Sequence, residues 1–148
     1  MLRFLCKLRE PEIIEPLVPS IKACLNHRHS YVRKNAALAI YHIHKHHGSA
    51  LVPDGADLMN DFIRAETEVG SRRNAFLMLF NEAEEVAIEF LAAHADGLDD
   101  FGDGFALLVL ELTRKVCRRD PRQKSRFVRF LFQLLGSQSA AVLSLIHI

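Results

Sequence analysis

The chain has 148 residues, 49% of them hydrophobic and 25% charged, with a formal net charge of +1. This is enough apolar material for the continuous core of one domain, and it excludes a disordered tail, which would need low hydrophobicity and unbalanced charge. So even a balance gives no reason to expect nucleic-acid binding, because a phosphate-tracking protein carries a clear basic excess.

Residues Met1 to Lys7 contain no apolar run and no cleavage site, so no signal peptide is expected there. Helices are predicted over 11–26, 30–47, 56–66, 70–80, 82–95, 103–119 and 122–136. In the first, Ile13, Leu17, Ile21, Cys24 and Leu25 recur with a helical period, but Pro16 and Pro19 require a bend or a late start. In the second, Val32, Ala36, Ala39, Ile40 and Ile43 form one stripe, with Ser30 as the expected N-cap. Glycines 48, 70, 97 and 136 punctuate the segments that follow. Before the last helix, Asp120-Pro121 reads as a cap followed by proline at the first helical position. There Phe127, Phe130, Leu131, Leu134 and Leu135 repeat the apolar pattern.

No segment shows the alternation of a half-buried strand, so the fold class is all-α. The most apolar stretches, Phe105 to Leu110 and Phe130 to Leu135, fall far short of the roughly 20 residues that cross a bilayer. Cys6, Cys24 and Cys117 are odd in number and lack a CxxC pair, which argues against a disulfide framework or zinc ribbon and for a reducing, cytosolic setting.

An internal repeat lies inside this pattern. Arg33-Lys34-Asn35-Ala36 recurs as Arg72-Arg73-Asn74-Ala75, a spacing of 39 residues, with apolar residues following both copies. A period near 40 built from two antiparallel helices belongs to HEAT and armadillo arrays, where each pair buries its apolar face only against its neighbours. The expected architecture is an α-solenoid of HEAT-type helix pairs.

Specific residues carry a resemblance as well. Phe4-Leu5-Cys6-Lys7-Leu8-Arg9-Glu10-Pro11-Glu12, His27-Arg28-His29-Ser30-Tyr31-Val32-Arg33-Lys34-Asn35-Ala36, Arg73-Asn74-Ala75-Phe76-Leu77-Met78-Leu79, Lys115-Val116-Cys117 and Arg126-Phe127 together resemble the coatomer beta-subunit family, in its N-terminal, adaptin-like HEAT trunk. HEAT turns usually carry Asp before the second helix, and His27-Arg28-His29 departs from that in this family's direction. The resemblance implies a partial solenoid over 1–142, cut at both ends, with Leu143-Ser144-Leu145-Ile146-His147-Ile148 expected to be the translation of a sequencing adapter. It further implies a non-catalytic structural subunit of the COPI coat, in Golgi-to-ER retrograde and intra-Golgi transport. Its partners would be other coatomer subunits and a GTP-bound Arf-family GTPase, on Golgi membranes and vesicles peripherally, without nucleic acid. Another HEAT adaptor, of the adaptin clathrin-adaptor or karyopherin kind, is the alternative, and a small histidine-cluster metal protein is the rival from a different class.

Candidate chemistry is sparse. His42 and His46 have the i, i+4 spacing of a two-histidine metal site, but an HExxH motif would need glutamate at position 43, where Ile43 belongs to the apolar stripe. Histidines at a helix C-terminus also complement its dipole. Glu82, Glu84, Glu85 and Glu89 crowd one helix start, and Asp96, Asp99, Asp100 and Asp103 surround a glycine-containing loop without EF-hand spacing. Gly102-Asp103-Gly104 lacks the Gly-Lys-Ser/Thr of a phosphate loop. No catalytic, cofactor or metal residue is therefore assigned, and partner-binding residues stay unassigned. Arg33 and Arg72 are expected to pair with acids of neighbouring repeats, while the dense basic run from Arg114 to Arg129 suits an acidic partner or anionic headgroups.

Overall fold

Proline and glycine cut the chain into helices close to the predicted ones. The computed structural model describes residues 2–5 and 7–135, so Cys6, Gly136 and the stretch 139–148 lie outside the described residues. A short α1 (Leu2–Leu5) precedes the first predicted helix. In place of one helix over 11–26 stand α2 (Pro11–Ile14), a 3-10 turn (Glu15–Leu17) and α3 (Val18–Cys24). Each piece opens with a proline in its first two positions, where the missing N–H has no partner to lose.

α4 (Ser30–His47) ends at Gly48, whose φ of 59° is the left-handed conformation that glycine adopts without strain. Its cap position is held by His29, in extended backbone and without a side-chain cap bond, so Ser30 is the first helical residue and not the cap. α5 (Gly55–Ala65) and α6 (Val69–Glu82) follow, then α7 (Glu84–Ala93) and a 3-10 stretch (Ala95–Phe101). α8 (Asp103–Arg119) leads through a 3-10 turn (Pro121–Gln123) to α9 (Lys124–Leu135). Asp120 caps that turn as predicted, accepting the Arg122 amide at 3.0 Å. Among the described residues there is no strand, and no helix is long and apolar enough to cross a membrane.

The chain divides into two compact units, Met1–Val86 and Ala87–Ile148. In the first, α3 packs on α4 and α5 packs on α6, each pair joined by a short connection that makes its helices antiparallel neighbours. α4 also packs on α6. Asn74 donates to the Lys34 carbonyl at 3.2 Å and Asn81 to the Tyr41 hydroxyl at 3.3 Å, both across 40 residues. Two bridges with one offset mean that α4 and α6 run parallel and in register, as the second helices of successive repeats should.

Ala36, Ala39, Ile40 and Ile43 of the predicted α4 stripe are buried. Along α2 and α3, Ile21 and Leu25 of the predicted stripe are buried, whereas Ile14 and Val18 are buried in place of Ile13, which is exposed, and Leu17, which is half-buried. The second unit closes around Phe90, Phe105 and Phe127, with Phe101 meeting Phe90 edge-on at 5.8 Å between centroids.

Candidate interaction surface

The strongest polar arrangement in the first unit joins the two repeats. Arg33 of α4 donates through Nε to Glu66 Oε2 at 2.6 Å and through Nη2 to Oε1 at 3.0 Å, a bidentate fork. Its Nη1 donates to the carbonyls of His27 and Arg28 at 2.8 and 3.1 Å. Glu66 Oε1 accepts the amides of Thr67 and Glu68 as well, at 2.8 and 2.9 Å. Burial pushes the Glu66 carboxyl upward, but the Arg33 fork and those amides outweigh it and hold it below the ordinary carboxylate range.

Arg72 stands in α6 where Arg33 stands in α4, and its Nε donates to the Glu66 carbonyl. Both arginines thus reach a carbonyl six residues back, fastening the turn of their own helix pair. The expectation of arginine–acid pairing between repeats holds for Arg33, whereas the bond from Arg72 to Glu66 is to backbone. Glu68 caps α6, accepting the amides of Gly70 and Ser71 at 2.9 and 2.6 Å and the Ser71 hydroxyl at 2.7 Å. Its carboxyl is pushed up by burial but held low overall by Ser71, the Gly70 and Ser71 amides and the Lys34 charge.

Sequence reasoning passed over Glu66 and Glu68. Stepping six residues back from each repeated arginine would have found them, since Glu66-Thr67-Glu68 then falls where His27-Arg28-His29 stands one repeat earlier. The two turns carry opposite charge, and the Arg33–Glu66 fork runs from one repeat to the other.

The His42 and His46 rings stack with centroids 6.3 Å apart, and His44 Nδ1 lies 3.5 Å from Glu82 Oε2. Among the described residues, no three His, Cys, Asp or Glu side chains converge to hold a metal. Burial, then the charges of His46 and Lys45, pushes the His42 imidazole below its ordinary value and favours its neutral form. Glu84 and Glu85 occupy the first turn of α7 and Asp103 that of α8, where carboxylates complement the helix dipole. Asp96 pairs with Arg129. Cys24 is half-buried and free, short of the core position expected for it.

A cleft of about 600 Å³ opens between the end of α3 and α5, with Leu25 and Phe62 beside Arg28 and Asp61 and with the Arg33–Glu66 pair in its wall. α4 carries no carboxylate along its length, and Tyr31, Lys34 and Lys45 are exposed on it. Such a frame can present side chains to another macromolecule from fixed helices.

The pattern of the adaptin N-terminal region matches residues 1–144. Over 141 residues, 95% of the chain, it is 50% identical to coatomer subunit beta of Drosophila melanogaster and 48% identical to coatomer subunit beta of Dictyostelium discoideum. Over 143 residues, 96% of the chain, it is 42% identical to coatomer subunit beta-2 of Arabidopsis thaliana. It spans 14–15% of the length of these relatives. All-helical where described, and built in its first unit from helix pairs in a repeating register, the chain belongs to the family of the adaptin N-terminal region, which is of helical-solenoid type.

Proposed function

We propose that the chain is a trunk segment of a non-catalytic, structural subunit of the COPI (coatomer) vesicle coat. It acts in Golgi-to-ER retrograde and intra-Golgi transport by binding other coatomer subunits and a GTP-bound Arf-family GTPase. The protein works in the cytoplasm and peripherally on Golgi membranes and vesicles. The observation that carries this reading is the 50% identity to a coatomer subunit beta across 95% of the chain. Residues 1–142 are assigned to the trunk segment, and 143–148 are set apart from it as the translation of a sequencing adapter.

The mechanism is surface recognition. The Arg33–Glu66 fork and the α4–α6 register hold exposed side chains at fixed spacing, and a GTPase whose switch regions are ordered only by GTP would bind such a surface in one nucleotide state. Co-purification tests the assignment. The chain is expected to capture other coatomer subunits and to leave clathrin-adaptor subunits and a nuclear-transport GTPase unbound. Preference for either of the latter would overturn it in favour of another HEAT adaptor.

A further inference from the structure

The cleft beside α3 and α5 is walled on both sides by the first unit itself, between the first helices of two successive pairs. Two ion pairs frame it. Lys22 donates to both Asp54 carboxylate oxygens, at 2.6 and 2.9 Å, and Arg33 holds Glu66 in its fork. Those four charges satisfy one another.

Arg28 and Asp61 line the same cleft, and both are exposed. Among the described residues, neither side chain makes an ion pair or a hydrogen bond, with the other or with any neighbour. Opposite charges thus share one cleft without meeting. On the Arg28 side, His27 Nδ1 accepts the His29 amide at 3.1 Å, so the neutral ring carries its proton on Nε2 and donates from there. On the Asp61 side, Leu58 is half-buried one turn earlier along α5. Buried Leu25 and Phe62 close the floor. The cleft therefore sets donors and a positive charge across from a carboxylate, over an apolar base.

That combination selects its occupant. An acidic group alone would satisfy Arg28 and be repelled by Asp61, and a basic group alone would do the reverse. An apolar side chain alone would leave both charges unanswered. A peptide segment with an apolar residue between an acid and a base answers all three. An apolar anchor inside a polar rim is also how interfaces concentrate affinity, and about 600 Å³ is within the range of ordinary ligand pockets.

We propose that this cleft docks a short segment of a partner protein in which one apolar side chain lies between an acidic and a basic residue. The apolar side chain rests on Leu58 and Phe62, the acid pairs with Arg28 and the base pairs with Asp61. The proposal goes beyond the coat reading and does not rest on it.

An array of immobilised peptides tests it on the intact chain. Each peptide carries leucine flanked, at varied spacings, by glutamate and lysine, by two glutamates or by two lysines, with alanine replacing leucine as a further control. The mixed-charge leucine peptides should be retained best at one spacing or more. Arg28→Glu and Asp61→Lys should each weaken that retention about fivefold, the equivalent of about 1 kcal/mol. Arg28→Glu should then prefer the two-lysine peptide, and Asp61→Lys the two-glutamate peptide. Arg73→Glu, on α6 and outside the cleft, should keep the original preference. All three side chains are exposed, and an unchanged circular dichroism spectrum confirms that the variants fold.

Retention no better than the alanine control at every spacing, or indifference to both cleft reversals, overturns the proposal. Preference of the unaltered chain for the two-glutamate peptide overturns it in favour of an acidic partner. Heat stabilisation by free leucine that Arg28→Glu removes, without retention of any peptide, overturns it in favour of a small zwitterion. Capture of coatomer subunits is scored on the same protein, so failure of the peptides with that capture intact overturns the cleft assignment alone.

Discussion

Arg33 and Glu66 bind each other through two hydrogen bonds, at 2.6 and 3.0 Å, that run from one helix pair to the next. The Glu66 side chain is only 2% exposed, so its charge depends on that fork and on the amides of Thr67 and Glu68. Glu66→Gln should cost about 2 kcal/mol by weakening charge-assisted bonds to a buried group. Urea unfolding followed by circular dichroism measures it. Arg73→Gln, at an exposed position of α6, should change stability by less than about 0.5 kcal/mol in the same assay.

The acid limb of stability should report the same carboxylates. Glu66 and Glu68 titrate below their ordinary range in the folded chain, so the unfolded chain takes up protons first as pH falls. Their contribution is complete above the unfolded value, near 4.5, and disappears as pH drops through the folded values. Thermal unfolding from pH 6 downward should therefore show a fall that Glu66→Gln makes shallower. An equally steep fall in the variant would contradict the role given to Glu66.

His42 acts in a separate window. Its imidazole is held below the ordinary 6.5, first by burial and then by His46 and Lys45, so the unfolded chain binds its proton more readily. The stabilisation from neutral His42 is complete above 6.5 and is lost as pH falls from there through the lowered folded value. His42→Gln should flatten the stability profile between pH 7 and 5. Added zinc should leave the unfolding midpoint where it was; a rise that His42→Ala removes would revive the metal reading.

Most of the fold was legible in sequence, because long helices announce themselves by period. α4 and α8 begin and end at the predicted residues, and the Arg33/Arg72 repeat correctly marked successive helix pairs. α1 has four residues, too few to show a period. The start of the first stripe was misplaced by one residue, although Ile21 and Leu25 were placed correctly, because Ile13 and Ile14 are both apolar and only packing chooses between them. Glu66 was missed for a different reason: a glutamate in a turn looks solvated, and its partner Arg33 stands 33 residues away in sequence.

Two glycines provide a packing test in the first unit. A Cβ on Gly55 would stand 2.8 Å from both the His44 ring and the Met78 methyl, whereas one on Gly70 would meet the flexible end of Lys34 at 2.9 Å and the capping Glu68 Oε1 at 3.1 Å. Gly55→Ala should destabilise by about 1 kcal/mol or more, because the His44 ring is held between helices. Gly70→Ala should change stability by less than Gly55→Ala does, within about 1 kcal/mol of neutral, since Lys34 can swing aside and alanine favours the helix while the capping Glu68 carboxylate must give slightly. Differential scanning fluorimetry ranks the two variants.

The most direct measurement is capture of the segment Met1 to Val142 by an Arf-family GTPase immobilised in its GTP-bound and GDP-bound forms. A trunk segment that reads nucleotide state should be retained by the GTP form and washed from the GDP form. Equal retention by both forms, or none by either from folded protein, would contradict GTPase recognition by these residues.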